Sequence, residues 1–148
     1  MRRALFPGSF DPFTKGHANI VKRGLDIFDE IVIAIGFNEH KHGLVPADER
    51  VTALKKFYAD NPRISVKGYS CLTADFAHSE GCAFILRGIR SIKDYEYELQ
   101  MADINRQITG VETVLLFADP SLSCISSSMV RELAHFNHPT NQYLPEGL

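Results

Sequence analysis

Five short apolar runs, each followed by a stretch with helical spacing, constrain this chain more than any other feature of its sequence. Ala4 to Phe6, Ile31 to Phe37, Ile64 to Gly68, Ala83 to Leu86 and Val114 to Phe117 have the length and branching of strands. The near-continuous run Ile31 to Phe37 suits a strand covered on both faces. Between the runs, apolar residues recur at helical spacing from about His17 to Phe28, Ala47 to Tyr58, Leu72 to Glu80 and Lys93 to Ile108. A last helix starts near Ser127, and Gly81 and Gly110 stand where helices close. Five βα units in succession predict a Rossmann-like, doubly wound α/β sheet of five parallel strands with helices on both faces. A length of 148 residues fits one core, so residues 1–148 are expected to form a single domain. In such folds ligands bind at the carboxyl ends of the strands, which directs attention to the loops that follow them.

The formal charge of −2 supplies no general basic field, so nucleic acid is not an expected partner. No apolar run approaches the roughly 20 residues of a membrane span. Cys71, Cys82 and Cys124 are odd in number and dispersed, which reads as reduced thiols in a cytoplasmic protein. Anion binding must therefore come from local groups.

The loop after the first strand is the richest: Pro7-Gly8-Ser9-Phe10-Asp11-Pro12-Phe13-Thr14-Lys15-Gly16-His17. Gly16 and His17 stand where the helix begins, and free amides at a helix N-terminus, aided by its dipole, point at anions. His17 and Ser9 add side-chain donors. The competing reading is a plain strand-to-helix turn; the loop is neither a Walker A nor a GxGxxG fingerprint. After the fourth strand, Arg87-Gly88-Ile89-Arg90 offers two guanidinium groups for bidentate phosphate contacts. Asp94, Glu96 and Glu98 follow, and could instead neutralise them in ion pairs. Ser126-Ser127-Ser128 opens the last helix, either as an ordinary cap or as a cap that also offers hydroxyls to phosphate. In the second loop, Lys41 is a flexible charge able to meet a second phosphate, while His40 and His42 lack a third ligand for a metal. No protein metal site is expected.

Together these residues resemble the nucleotidyltransferase superfamily. Gly8-Ser9-Phe10-Asp11-Pro12 with Thr14-x-Gly16-His17, Arg87-Gly88-Ile89-Arg90 with Asp94-Tyr95-Glu96-x-Glu98, and Ile125-Ser126-Ser127-Ser128 with Val130-Arg131 are similar to the phosphopantetheine adenylyltransferase family over nearly the whole chain. The resemblance implies transfer of the adenylyl group of ATP to 4'-phosphopantetheine, giving dephospho-coenzyme A and pyrophosphate in the penultimate step of coenzyme A synthesis. It also implies Mg2+, a homohexamer and coenzyme A as a feedback ligand. Carried over by position, His17, Lys41 and Arg90 would be catalytic. Ser9, Phe10, His17, Gly88, Arg90, Glu98, Ile125, Ser126, Ser127 and Ser128 would meet ATP. Ser9, Lys41, Leu72, Thr73, Arg87 and Asn105 would contact phosphopantetheine.

Two other readings stay open at this level. One is a relative acting on another acceptor such as nicotinate mononucleotide, although those usually carry His-x-Gly-His where Thr14 stands here. The other is a nucleotide-binding regulator without catalysis.

Overall fold

The computed structural model describes residues 1–37 and 44–148. Strands and helices alternate along it: β1 (Arg3–Gly8), α1 (Lys15–Gly24), β2 (Glu30–Gly36), α2 (Ala47–Phe57), β3 (Ile64–Tyr69), α3 (Thr73–Ser79), β4 (Phe84–Ile89), α4 (Ile92–Thr109), β5 (Glu112–Phe117) and α5 (Ser127–His135). A short 3-10 turn, Asn141–Tyr143, lies in the tail that follows α5. The five strands form one sheet in the order β3-β2-β1-β4-β5, and every pairing is parallel. Connections run outward from β1 on one side and from β4 on the other. The switch point therefore lies between β1 and β4, where a doubly wound sheet opens a crevice.

Strand period 2 divides the core into two clusters, one on each face of the sheet. Ile31, Ile33 and Ile35 of β2 pack with Ile20 and Val21 of α1 and Leu54 of α2. Val32 and Ala34 of the same strand pack with Ala74 and Ala77 of α3 on the opposite face. Residues Ile31 to Ile35 are all buried, as a strand covered on both sides requires.

Element boundaries depart from the sequence pattern in two places that matter. The pattern predicts α1 to Phe28, but the helix stops at Gly24. Arg63, at the foot of β3, draws the carbonyls of Leu25, Phe28 and Asp29 to its guanidinium at 2.6, 2.7 and 2.8 Å and turns the chain into β2. The apolar residues 25–28 remain buried or partly buried, so helical spacing continues past the helix itself. The second departure is β4, which extends beyond Leu86 through Arg87, Gly88 and Ile89. Those residues pair in register with Leu115, Leu116 and Phe117 of β5. Arg87 and Gly88 are thus strand residues held rigidly at the crevice, and only Arg90 stands in the turn. Gly110 closes α4 at φ 77°, as expected of a left-handed cap.

Gly24 lets α1 approach the sheet closely. A Cβ there would lie 2.7 Å from Leu86 Cδ2 and 2.9 Å from Ile31 Cδ1, and both side chains are fully buried. Gly24→Ala should therefore destabilise by about 1–3 kcal/mol through overpacking, where an open helical glycine would gain from alanine. Urea unfolding checks the sign. Among the described residues no helix is long and apolar enough to cross a membrane.

Candidate active site

Two cavities open side by side at the carboxyl ends of β1 and β4. The larger, about 830 Å³, lies between the N-termini of α1, α4 and α5; the smaller, about 530 Å³, lies toward β2, β3 and α4. They share Pro7, Gly8, Ser9, Arg87, Tyr97 and Glu98.

The first loop enters the larger cavity through a reciprocal cap. Thr14 caps α1: its side chain accepts the His17 amide at 3.4 Å, and His17 Nδ1 accepts the Thr14 amide at 3.0 Å. A ring nitrogen that accepts an N–H carries no proton, so the neutral ring is protonated at Nε2. His17 is half-buried among aromatic rings, with centroids at 4.9 Å for Phe10, 5.4 Å for Phe13 and 6.3 Å for Phe6. This burial first, then the nearby charges of Arg87 and Arg90, push its pKa down to about 3. At neutral pH His17 is an uncharged donor fixed in tautomer by the helix cap. Gly16 also lines the cavity, and a Cβ there would meet nothing nearer than 3.5 Å. That contact is ordinary packing against Thr14 Oγ1 and, at 3.9 Å, the Ile125 carbonyl.

Arg87 and Arg90 serve different ends. Arg87 donates from Nε to Glu98 Oε1 at 2.9 Å, approaches the same oxygen with its second terminal nitrogen at 2.7 Å, and donates to the Pro7 carbonyl at 2.6 Å. Glu98 is only 5% exposed. The ion pair weighed against phosphate binding in the sequence is therefore present, and it forms the wall between the cavities. A guanidinium has five N–H groups, so two beyond these contacts stay available to a ligand. Arg90 is more open; its amide donates to Asp94 at 3.0 Å, and its guanidinium lies 3.5 Å from that carboxylate and 3.4 Å from the Ile125 carbonyl. Ser91 caps α4 through the Asp94 amide at 3.2 Å.

At α5 the three serines divide their work. Ser126 is the cap, accepting the Met129 amide at 3.1 Å. Ser127 donates to the Pro12 carbonyl at 2.7 Å, and Ser128 accepts from Arg131 at 3.2 Å. All three still line the larger cavity.

The larger cavity gathers Ser9, Phe10, His17, Gly88, Arg90, Glu98, Ile125, Ser126, Ser127 and Ser128. Ser9, Thr73, Arg87 and Asn105 line the smaller one, with Tyr69 and Cys71. Leu72 does not: it precedes α3 with 62% of its surface exposed. Lys41 and His42 lie outside the described residues. Sequence reasoning passed over Tyr97, which lines both cavities, and quoted Arg131 in the third motif without giving it a role, whereas its guanidinium links α5 to the first loop. Tyr97 sits on a helix with no clear apolar stripe, and the partner of Arg131 is a backbone carbonyl, which leaves no mark in sequence. Among the described residues no group of three His, Cys, Asp or Glu could hold a metal ion.

A cytidylyltransferase-like family model matches residues 5–133. Over 148 residues the chain is 53% identical to a phosphopantetheine adenylyltransferase of Bacteroides fragilis, covering 100% of this chain and 99% of that protein. Its counterpart in Porphyromonas gingivalis is 54% identical over 144 residues, covering 97% of this chain and 94% of its own. A counterpart in Flavobacterium johnsoniae is 43% identical over 148 residues, covering 100% and 97%. Among solved structures, a bifunctional NMN adenylyltransferase/ADP ribose pyrophosphatase from Francisella tularensis superposes with a TM-score of 0.73 at 13% identity. That match covers 97% of this chain and 44% of the other, and it is a likeness of fold.

Proposed function

The chain belongs to the phosphopantetheine adenylyltransferase family, and from that premise we propose that it transfers the adenylyl group of ATP to 4'-phosphopantetheine. The products are dephospho-coenzyme A and pyrophosphate, the penultimate step of coenzyme A synthesis. The observation that carries this reading is the pair of adjoining cavities that share Ser9, Arg87 and Glu98 at the β1/β4 switch point. One reaction that joins two phosphorylated ligands needs two such sites with a common wall.

In this reading ATP takes the larger cavity, its phosphates facing the N-termini of α1 and α5, and the acceptor phosphate enters from the smaller one. An oxygen of the acceptor phosphate attacks the α-phosphorus of ATP. The bond from that phosphorus to the bridging oxygen breaks, and pyrophosphate leaves with the electron pair. A phosphate is already a nucleophile at neutral pH, so catalysis consists of alignment and stabilisation of spreading negative charge. His17 donates from Nε2 to the reacting phosphate without needing to change protonation. Arg90 supplies positive charge from the α4 side, and Lys41 is assigned to the acceptor phosphate by family resemblance. Arg87 sets the common wall and offers its remaining N–H groups to the acceptor.

Mg2+ belongs to the same reading as the ion carried by the triphosphate. The two carboxylates at the larger cavity, Asp94 and Glu98, are engaged by Arg90 and Arg87. The ion would keep phosphate oxygens and water as its ligands, and no step passes through a protein–metal bond. A cytoplasmic homohexamer with coenzyme A as feedback ligand completes the proposal. Exposed Ile92, Tyr95, Leu99, Ile104 and Ile108 along α4 support self-association through that helix.

The test is pyrophosphate release from ATP and Mg2+ with phosphopantetheine, nicotinate mononucleotide or glycerol phosphate offered separately. Release with phosphopantetheine alone, with dephospho-coenzyme A seen by mass, is the expected outcome. Release with a different acceptor would keep the chemistry and overturn the substrate. Silence from protein that binds ATP would overturn both.

A further inference from the structure

The first loop is held in a backbone conformation that its own residue disfavours. Phe10 has φ 47°, in the left-handed region. An aromatic residue persists there, against its own steric preference, only where its surroundings over-determine it. Here they do. The carbonyl of Ser9 accepts from the Arg50 guanidinium, and the carbonyl of Asp11 accepts from Arg131 at 2.6 Å. Arg50, on α2, also donates from Nε to the Val45 carbonyl at 2.9 Å. The Asp11 carboxylate, 4% exposed, accepts the amides of Leu44 and Val45 at 2.6 and 3.1 Å.

The left-handed turn has a visible result. It lays the Phe10 ring across Gly8, where a Cβ would come within 2.9 Å of a ring carbon, and sets that ring edge-on to His17. Ser9, immediately before the turn, lines both cavities, whereas neither Asp11 nor Arg50 lines either. We propose that Asp11 and Arg50 are positioning residues of the transfer reaction. Without touching a ligand, they hold the Ser9–Phe10–Asp11 backbone in its left-handed turn. In this way they place Ser9 between the two cavities and the Phe10 ring against His17. The catalytic part of this inference rests on the adenylyl-transfer reading.

A misplacement near 1 Å in aligned chemistry costs about 10²-fold. Arg50→Met should therefore lower kcat about 10- to 10²-fold while ATP affinity, measured by calorimetry, changes less than about threefold. Arg50→Lys, which retains a donor, should recover part of the loss. Asp11→Asn, which sets an NH2 donor against one of two backbone amides, should reproduce the same split and carries the test if Arg50→Met fails to fold. In all folded variants the ring-current shift of the Gly8 Hα protons should move toward its random-coil value. A lowered melting temperature with unchanged kcat and unchanged Gly8 shift would overturn the proposal. Wild-type protein that never turns over phosphopantetheine would overturn the functional reading instead, and the Gly8 shift would still judge the positioning role.

Discussion

Removal of the His17 imidazole should slow turnover on the order of 10²- to 10³-fold, the usual loss for one preorganised transition-state donor. The geometry allows this to be separated from folding. His17→Ala also deletes the acceptor of the Thr14 amide, so it should lose about 1 kcal/mol of helix-cap stability. His17→Asn is the cleaner variant, because its side-chain oxygen can occupy the place of Nδ1 while nothing replaces Nε2. Both should lose turnover to a similar extent, with Asn retaining more of the wild-type melting temperature. Near-full turnover in either would remove His17 from the chemistry.

The low pKa gives the same residue a pH signature. Folded His17 titrates near 3 and unfolded histidine near 6.5, so the unfolded chain binds the extra proton between those values. The stability associated with neutral His17 is complete above pH 6.5 and falls steadily as pH drops toward 3. Between pH 7 and 5 wild type should therefore lose on the order of 1–2 kcal/mol more than His17→Asn. The kcat/KM profile, which reports the free enzyme, should show no His17 limb near 6.5, and His17→Asn should leave the shape of the profile in that range unchanged.

These residues divide by how much of their role is visible in one dimension. The βα alternation is legible because each strand and helix is selected by its own periodicity, and β2 and the Gly110 cap follow directly from it. The end of α1 is not, because it is set by Arg63 collecting carbonyls from a turn in another part of the chain. In the same way the Arg87-Gly88-Ile89-Arg90 motif reads as a loop from its charges and glycine. Pairing with β5 makes its first three residues strand. Motif residues that line the cavities are legible as chemistry: a histidine at a helix start and arginines at a strand's carboxyl end. Asp11 and Arg50 are not, since their partners are backbone amides and carbonyls that any residue possesses. Phe10 is a sharper case, because nothing in its side chain announces a left-handed φ.

The Arg87–Glu98 pair should separate stability from activity. Arg87→Met leaves the buried Glu98 carboxylate without its guanidinium and the Pro7 carbonyl without its donor. Breaking a fully buried pair costs about 3–5 kcal/mol. The Arg87 side chain is 30% exposed, so water softens the loss to about 2–3 kcal/mol. Replacing both partners, as Arg87→Met with Glu98→Leu, removes the stranded charge and should return most of the lost stability, short of what the Pro7 carbonyl loses with its donor. Turnover should not return with it. The wall shared by both cavities would have lost its cation, and the acceptor phosphate would face apolar side chains, so kcat/KM for the acceptor should stay at least about 10²-fold down. Urea unfolding and steady-state kinetics on the three proteins decide the matter. A double variant as active as wild type would reduce the pair to scaffolding, whereas an Arg87→Met protein of undiminished stability would mean Glu98 finds water or another partner. The expected pattern, stability largely restored and activity not, is what distinguishes a charge kept at a crevice for a ligand from one kept for the fold.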